Sequence, residues 1–197
     1  MKHAVSILVF SLIAVFGSHA SEATRDKFLS EVGFPAGDNG SVTNEWVLPE
    51  SFDFGGMTWT TTDHKGSPVL GLVSFSIVET NDVPPVEGRG VAFQFQTERQ
   101  LHDYIASRLA CTDYVPDDYA ELWSVQTNSI GLIRLKPHVP NGTNGVPSSF
   151  ETCFVLFKNI GISVSGLSNA CELAETILEA GGVDIPAEPE SPEPNPE

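Results

Sequence analysis

The stretch FETCFVLFKNIGISVSGLSNACELAETILEAGG, residues 150–182, decides the fold. Its residues 153–157, CFVLF, are continuously apolar, the pattern of a central strand covered on both faces. ISV at 162–164 alternates and returns antiparallel after a turn around Asn159–Ile160. From about Asn169 the period changes. Ala170, Leu173, Ala174, Ile177 and Leu178 fall on one face of a helix, with Glu172, Glu175, Thr176 and Glu179 on the other. Strand, return strand and helix therefore form one unit, and the Gly181–Gly182 pair ends it.

The same stretch holds two of the three cysteines. A turn at Asn159–Ile160 places residue 153 opposite roughly residue 166, and the helix starts two or three residues later. Cys171 then sits in the first helical turn at the level of Cys153, within reach of the ~5.5–6 Å Cα separation of a disulfide. Cys153–Cys171 ranks first. Pairings of Cys111 with either remain open, because they depend on a strand order that the sequence does not state. A left-over Cys111 is either a buried thiol or an intermolecular one, and a monomer is the simpler expectation.

Working outward, a second helix is read at Thr97-Glu98-Arg99-Gln100, where a threonine cap and a glutamine three residues later form the two ends of a capping box. Leu101, Tyr104, Ile105 and Leu109 follow at helical spacing. A weaker helix spans Glu22 to Val32. Strands are expected at VAFQFQ (91–96), LVSFSIV (72–78), ELWSVQ and IGLIRLK either side of Thr127-Asn128-Ser129, and with less support at NEWVLP and FDFGGMTWTTT. Strand–strand–helix thus occurs twice, around 70–110 and 151–180, as an echo of structure without matching residues. Hairpin-length links favour an antiparallel sheet. The expected fold is a single α+β domain over 21–182, an antiparallel sheet covered by two amphipathic helices.

The ends read differently. Lys2 and His3, the apolar run Ala4–Gly17 and the small residues of Ser18-His19-Ala20 make a secretory signal peptide over 1–20. About 14 apolar residues fall short of the roughly 20 that span a bilayer. The expected location is therefore secreted or periplasmic. At the other end, DIPAEPESPEPNPE alternates proline with carboxylates, so 183–197 should form a disordered tail, either an inert solubilising end or a spacer.

Ten basic against 26 acidic residues give a formal charge of −16. Without a cluster of Lys and Arg to meet phosphates, nucleic-acid or anionic-membrane binding is not expected.

No residue pattern carries catalysis. Gly161-Ile162-Ser163-Val164-Ser165-Gly166 fails the spacing of a nucleophile elbow and lies in an expected strand. His102 is placed on the polar side of its helix, four residues after Glu98, as a solvated pair. His64 and His138 are assigned to loops, where either offers a general base for an alternative reading as an extracellular hydrolase. No metal or other cofactor is expected: the acidic group Asp113, Asp117, Asp118 and Glu121 matches no calcium loop and reads as turn chemistry. Asn39-Gly40-Ser41 and Asn141-Gly142-Thr143 fit the N-glycosylation pattern, which matters only in a eukaryotic secretory pathway. Tyr114, Tyr119 and Trp123 interleave with carboxylates, so an exposed aromatic–acidic loop for a cationic peptide or a carbohydrate is the candidate binding site.

The order of a strand cysteine, a return strand and a helix opening Asn169-Ala170-Cys171-Glu172-Leu173-Ala174 resembles the end of some actinobacterial secreted lipoproteins. It is similar too to the extracellular sensor domains of mycobacterial serine/threonine kinases. The likeness covers residues 150–182 alone, and the chain lacks both a lipid-attachment cysteine and a fourth cysteine for a second bridge. It implies a small extracellular sheet-and-helix domain that binds something, with no catalytic residues to carry over. The leading expectation is a non-catalytic binding domain for a protein, peptide or carbohydrate.

Overall fold

The computed structural model describes residues 20–42, 46–67, 71–80, 85–110, 118–138 and 151–185. Residues 1–19 and 186–197, where a signal peptide and a disordered tail are expected, lie outside the described residues, as do Cys111, Asp113, Tyr114, Asp117 and Asn141.

Eight strands and three α-helices stand among the described residues. The strands are β1 Ser51–Phe54, β2 Met57–Ser67, β3 Leu72–Glu79, β4 Glu87–Gln94, β5 Trp123–Thr127, β6 Ile133–Pro137, β7 Glu151–Phe157 and β8 Ile160–Leu167. The helices are α1 Glu22–Glu31, α2 Glu98–Leu109 and α3 Ala170–Ala180. All eight strands form one sheet in the order β1-β2-β3-β4-β8-β7-β6-β5. Every pairing is antiparallel. The protein is mixed α+β. Two four-strand meanders run toward each other and join where β4 meets β8, and each is followed by a helix.

The two faces of the sheet carry separate cores. On one, Ala170, Leu173, Ala174, Ile177 and Leu178 of α3 pack with Val155, Ile162, Val164 and the aromatic residues Trp46, Phe52, Trp59 and Phe75. On the other, Leu101, Ile105 and Leu109 of α2 and Phe28 of α1 pack with Phe93, Ile133, Leu135, Phe154 and Leu156. Strand β7 is therefore apolar on both sides, while β8 is apolar toward α3 and buries Gly161, Ser163 and Ser165 on its other side. This is why CFVLF reads as an unbroken run.

Local chemistry explains the element ends. Gly55 and Gly56 both take positive φ, +63° and +78°, and turn β1 into β2 as a two-residue hairpin, the left-handed geometry that glycine adopts without steric cost. At α2 the Thr97 side chain accepts from the Gln100 N–H at 3.1 Å, while Gln100 Oε1 accepts from the Thr97 N–H at 3.3 Å. The capping box is complete. The end of α3 is a Schellman turn: Val183 N–H donates to Leu178 O at 3.1 Å, and Gly182 N–H, at φ +101°, to Glu179 O at 2.9 Å. Trp46 Nε1 donates to Leu178 O at 3.1 Å, and Val47 N–H to Gly181 O. These bonds tie the residues before β1 to the end of the last helix.

Three expectations need correction. The hairpin between β7 and β8 turns at Lys158–Asn159, so Phe157 pairs with Ile160 and Cys153 with Val164, two residues from the expected partner. Lys158 takes φ +54°, and the buried Asn159 side chain donates to Phe95 O at 2.6 Å, a long-range bond that pins the turn one residue earlier. Of NEWVLP, residues 46–49 form no strand; Trp46 is drawn instead onto α3. Residues 183–185, assigned to the tail, continue the fold, because the Schellman turn folds Val183 into the core, where it is 8% exposed.

Candidate functional site

Two of the three cysteines sit deep in the core between β7 and α3. Cys153 and Cys171 lie at disulfide distance with Cα atoms 5.2 Å apart, and both are buried. That separation is ordinary for a disulfide. It ties the start of α3 to a central strand.

The proposed aromatic loop is not an exposed platform at the two positions described. Tyr119 is fully buried beside Phe28, with ring centroids 5.3 Å apart, and its hydroxyl donates to Ala110 O at 3.3 Å. Its N–H donates to Glu31 Oε2 at 2.9 Å. Trp123 is 9% exposed and packs edge-on to Phe154 at 6.2 Å. Alternation with carboxylates suggested a surface loop. What it marks is a 3-10 turn, Tyr119–Glu121, capped by Asp118, whose Oδ1 accepts from Ala120 N–H at 2.8 Å. The turn drives its aromatic side chain inward against α1. Tyr114 lies outside the described residues.

The histidines divide in three ways. His138 is exposed just past β6, where its N–H donates to Leu122 O at 2.7 Å. His64 is exposed on β2, not in a loop, beside a bulge between Thr62 and Lys65 where Asp63 takes φ +54°. Its Nε2 lies 2.9 Å from Thr61 Oγ1, the separation of a nucleophile and its base. The hydroxyl has one proton, however, and gives it to Pro49 O at 2.6 Å. His64 must then donate through Nε2, so it holds the hydroxyl in place and cannot deprotonate it.

His102 is not on a wet helix face but 1% exposed. The chain after α1 folds back over it, so that Phe34 lies 4.9 Å away, centroid to centroid, and its Nδ1 lies 2.8 Å from Pro35 O. Burial holds its pKa below the ordinary value; the bond to Pro35 and the carboxylates of Glu98 and Asp103 oppose that effect.

One polar surface remains open. Register places Thr60 beside Val78, Thr62 beside Ser76, Ser76 beside Arg89 and Arg89 beside Ser165, all on the sheet face away from α3. Thr58 and Thr60 share it by alternation along β2. Thr58, Thr62, Ser74 and Arg89 are exposed, and Thr60 and Ser76 half-buried. Hydroxyls recur about 6.8 Å apart along a strand and about 4.8 Å between strands. Thr58 donates to Asp53 Oδ1 at 2.9 Å and Ser74 to Lys65 O at 3.2 Å, so their oxygens keep acceptor capacity facing outward. The signal in the sequence was the period of two in Thr58-Trp59-Thr60-Thr61-Thr62, with Trp59 and Thr61 turned inward.

Among the described residues no group of His, Cys, Asp and Glu is arranged to hold a metal ion, and no helix is long and apolar enough to cross a membrane. Compared with known proteins, the chain matches no family model, no curated protein sequence and no solved structure. The likeness of residues 150–182 to secreted lipoproteins and kinase sensor domains stays one of local pattern.

Proposed function

We propose that this protein is an exported, monomeric, non-catalytic binding domain that takes a polar ligand, a peptide or a carbohydrate, on the hydroxyl face of β2–β4. The observation that carries the reading is the regular row Thr58, Thr60, Thr62 with Ser74, Ser76 and Arg89 beside it, held on a sheet whose opposite face is packed with aromatic side chains. Such a face offers many weak, oriented hydrogen bonds without reorganisation on binding. Export is supported by the cysteine pair at disulfide distance together with the leader pattern of residues 1–20.

Chemical-shift mapping tests it. The labelled protein is titrated with soluble oligosaccharides and, separately, with cationic peptides. Shifts gathered on 58–62, 74–76 and 89, and abolished by Thr60→Glu with the fold intact, are the expected result. Turnover of an ester, peptide or glycoside substrate that disappears in His64→Ala or His138→Ala would replace this reading with the hydrolase.

A further inference from the structure

Residues 34–38 lie against the start of α2 through a small set of polar contacts built around one buried imidazole. Asp38 O accepts from Arg99 N–H at 3.0 Å, and Asp38 N–H donates to Glu98 Oε2 at 3.0 Å. His102, one turn further along α2, meets Pro35 O through Nδ1 at 2.8 Å. A carbonyl only accepts, so Nδ1 carries the proton of the neutral ring and Nε2 is left with a bare lone pair. That nitrogen is buried without a hydrogen-bond partner among the described residues.

We propose that His102 is an acid-sensitive latch: protonation at Nε2 loosens residues 34–38 from α2. A second proton would put a full positive charge into a site walled by Phe34. The nearest carboxylate oxygen, Glu98 Oε1, stands 3.8 Å away, too far for a hydrogen bond. Bringing it closer moves the carboxylate whose other oxygen holds Asp38 N–H. Asp103 cannot substitute without leaving Arg25 and Arg99, each 3.8 Å from it. Asp38 turns its own carboxylate away, onto Gly40 N–H at 3.0 Å. The cation is thus accommodated either without a hydrogen-bonded partner or at the expense of a contact that holds the segment.

The sign of the pH effect follows from burial. A histidine whose pKa is lower folded than unfolded stabilises the closed state fully above about pH 6.5 and progressively less as pH falls through its folded value. The closed segment is therefore the neutral-pH form. Acid would uncover Phe34 and the first turn of α2.

The experiment is amide hydrogen exchange at pH 7.5 and pH 5, read as protection factors so that intrinsic rates cancel, with His102 titrated by NMR in the same samples. The full chain is expected to lose protection at Arg99 and Asp38 at pH 5, while amides of β7 and β8 keep theirs. His102→Asn, which keeps a donor for Pro35 O but cannot be protonated, is expected to abolish the loss. Glu98→Gln keeps an acceptor for Asp38 N–H but removes the charge, and is expected to move both the His102 midpoint and the loss of protection to lower pH. A native His102 midpoint at or above 6.5, an equal loss in His102→Asn, or protonation without loss of protection at Arg99 would each overturn the latch.

Discussion

Helices α2 and α3 follow equivalent hairpins, β3–β4 and β7–β8, yet they begin in different ways. The start of α2 has a local cap: threonine and glutamine three residues apart satisfy each other's backbone donors, and Asp38 O adds a distant acceptor for the Arg99 N–H. At α3, Asn169 occupies the cap with φ +60° and makes no side-chain cap bond, and the helix is tied down through Cys171 to Cys153 on β7. The difference teaches that one helix has a side-chain cap written into its neighbouring residues, while the other has none and is anchored by a partner 18 residues away. It also fits their faces. The exposed side of α2 is available to the 34–38 segment, whereas α3 buries six of its residues against the sheet.

The comparison can be broken first in the cores. Leu101 on α2 and Leu173 on α3 are both buried, at 0% and 1% exposure. Each change to alanine should cost about 2–5 kcal/mol in urea unfolding. A loss below about 1 kcal/mol at either site would mean that the corresponding face is not packed as described. The next effect separates the helices. The double change Cys153→Ala/Cys171→Ala should cost about 3 kcal/mol by loop closure, and alkylation before reduction should leave Cys111 as the sole modified cysteine. Alkylation of Cys153 or Cys171 without reductant would remove the covalent anchor from the argument.

The smallest effects concern the caps. Thr97→Ala should cost about 1 kcal/mol by leaving the Gln100 N–H unsatisfied. Asn169→Ala should cost about as much, roughly 1 kcal/mol, for a different reason, the left-handed backbone that alanine tolerates poorly. Asn169→Gly distinguishes the two: equilibrium unfolding should find it close to wild type or slightly more stable, because glycine takes positive φ freely. A clear loss in Asn169→Gly would assign the asparagine side chain a role that its bonding does not indicate.

Much of this was legible in the residues. Period two in LVSFSIV and VAFQFQ, the unbroken CFVLF, the capping box and the helical spacing from Leu101 each report a local environment, and local environments are written in local sequence. The glycine pair at 181–182 marked the helix end, but not the Schellman turn that carries Val183 into the core. The candidate site was hardly legible. Threonines at alternate positions looked like an uncertain strand, and their common exposed face follows only from the register of β2 against β3 and β4.

What the sequence determined by itself was the period of each segment, and hence helix or strand, together with the antiparallel class that short links impose. What only the tertiary structure decided was strand order, the turn at Lys158–Asn159, the inward course of Tyr119 and the burial of His102. The physical reason is shared. A polar side chain on a helix is wet unless another part of the chain crosses it, and at His102 that part is Phe34–Pro35, more than sixty residues away. Periodicity records which side of an element is apolar. It does not record what arrives to cover the polar side.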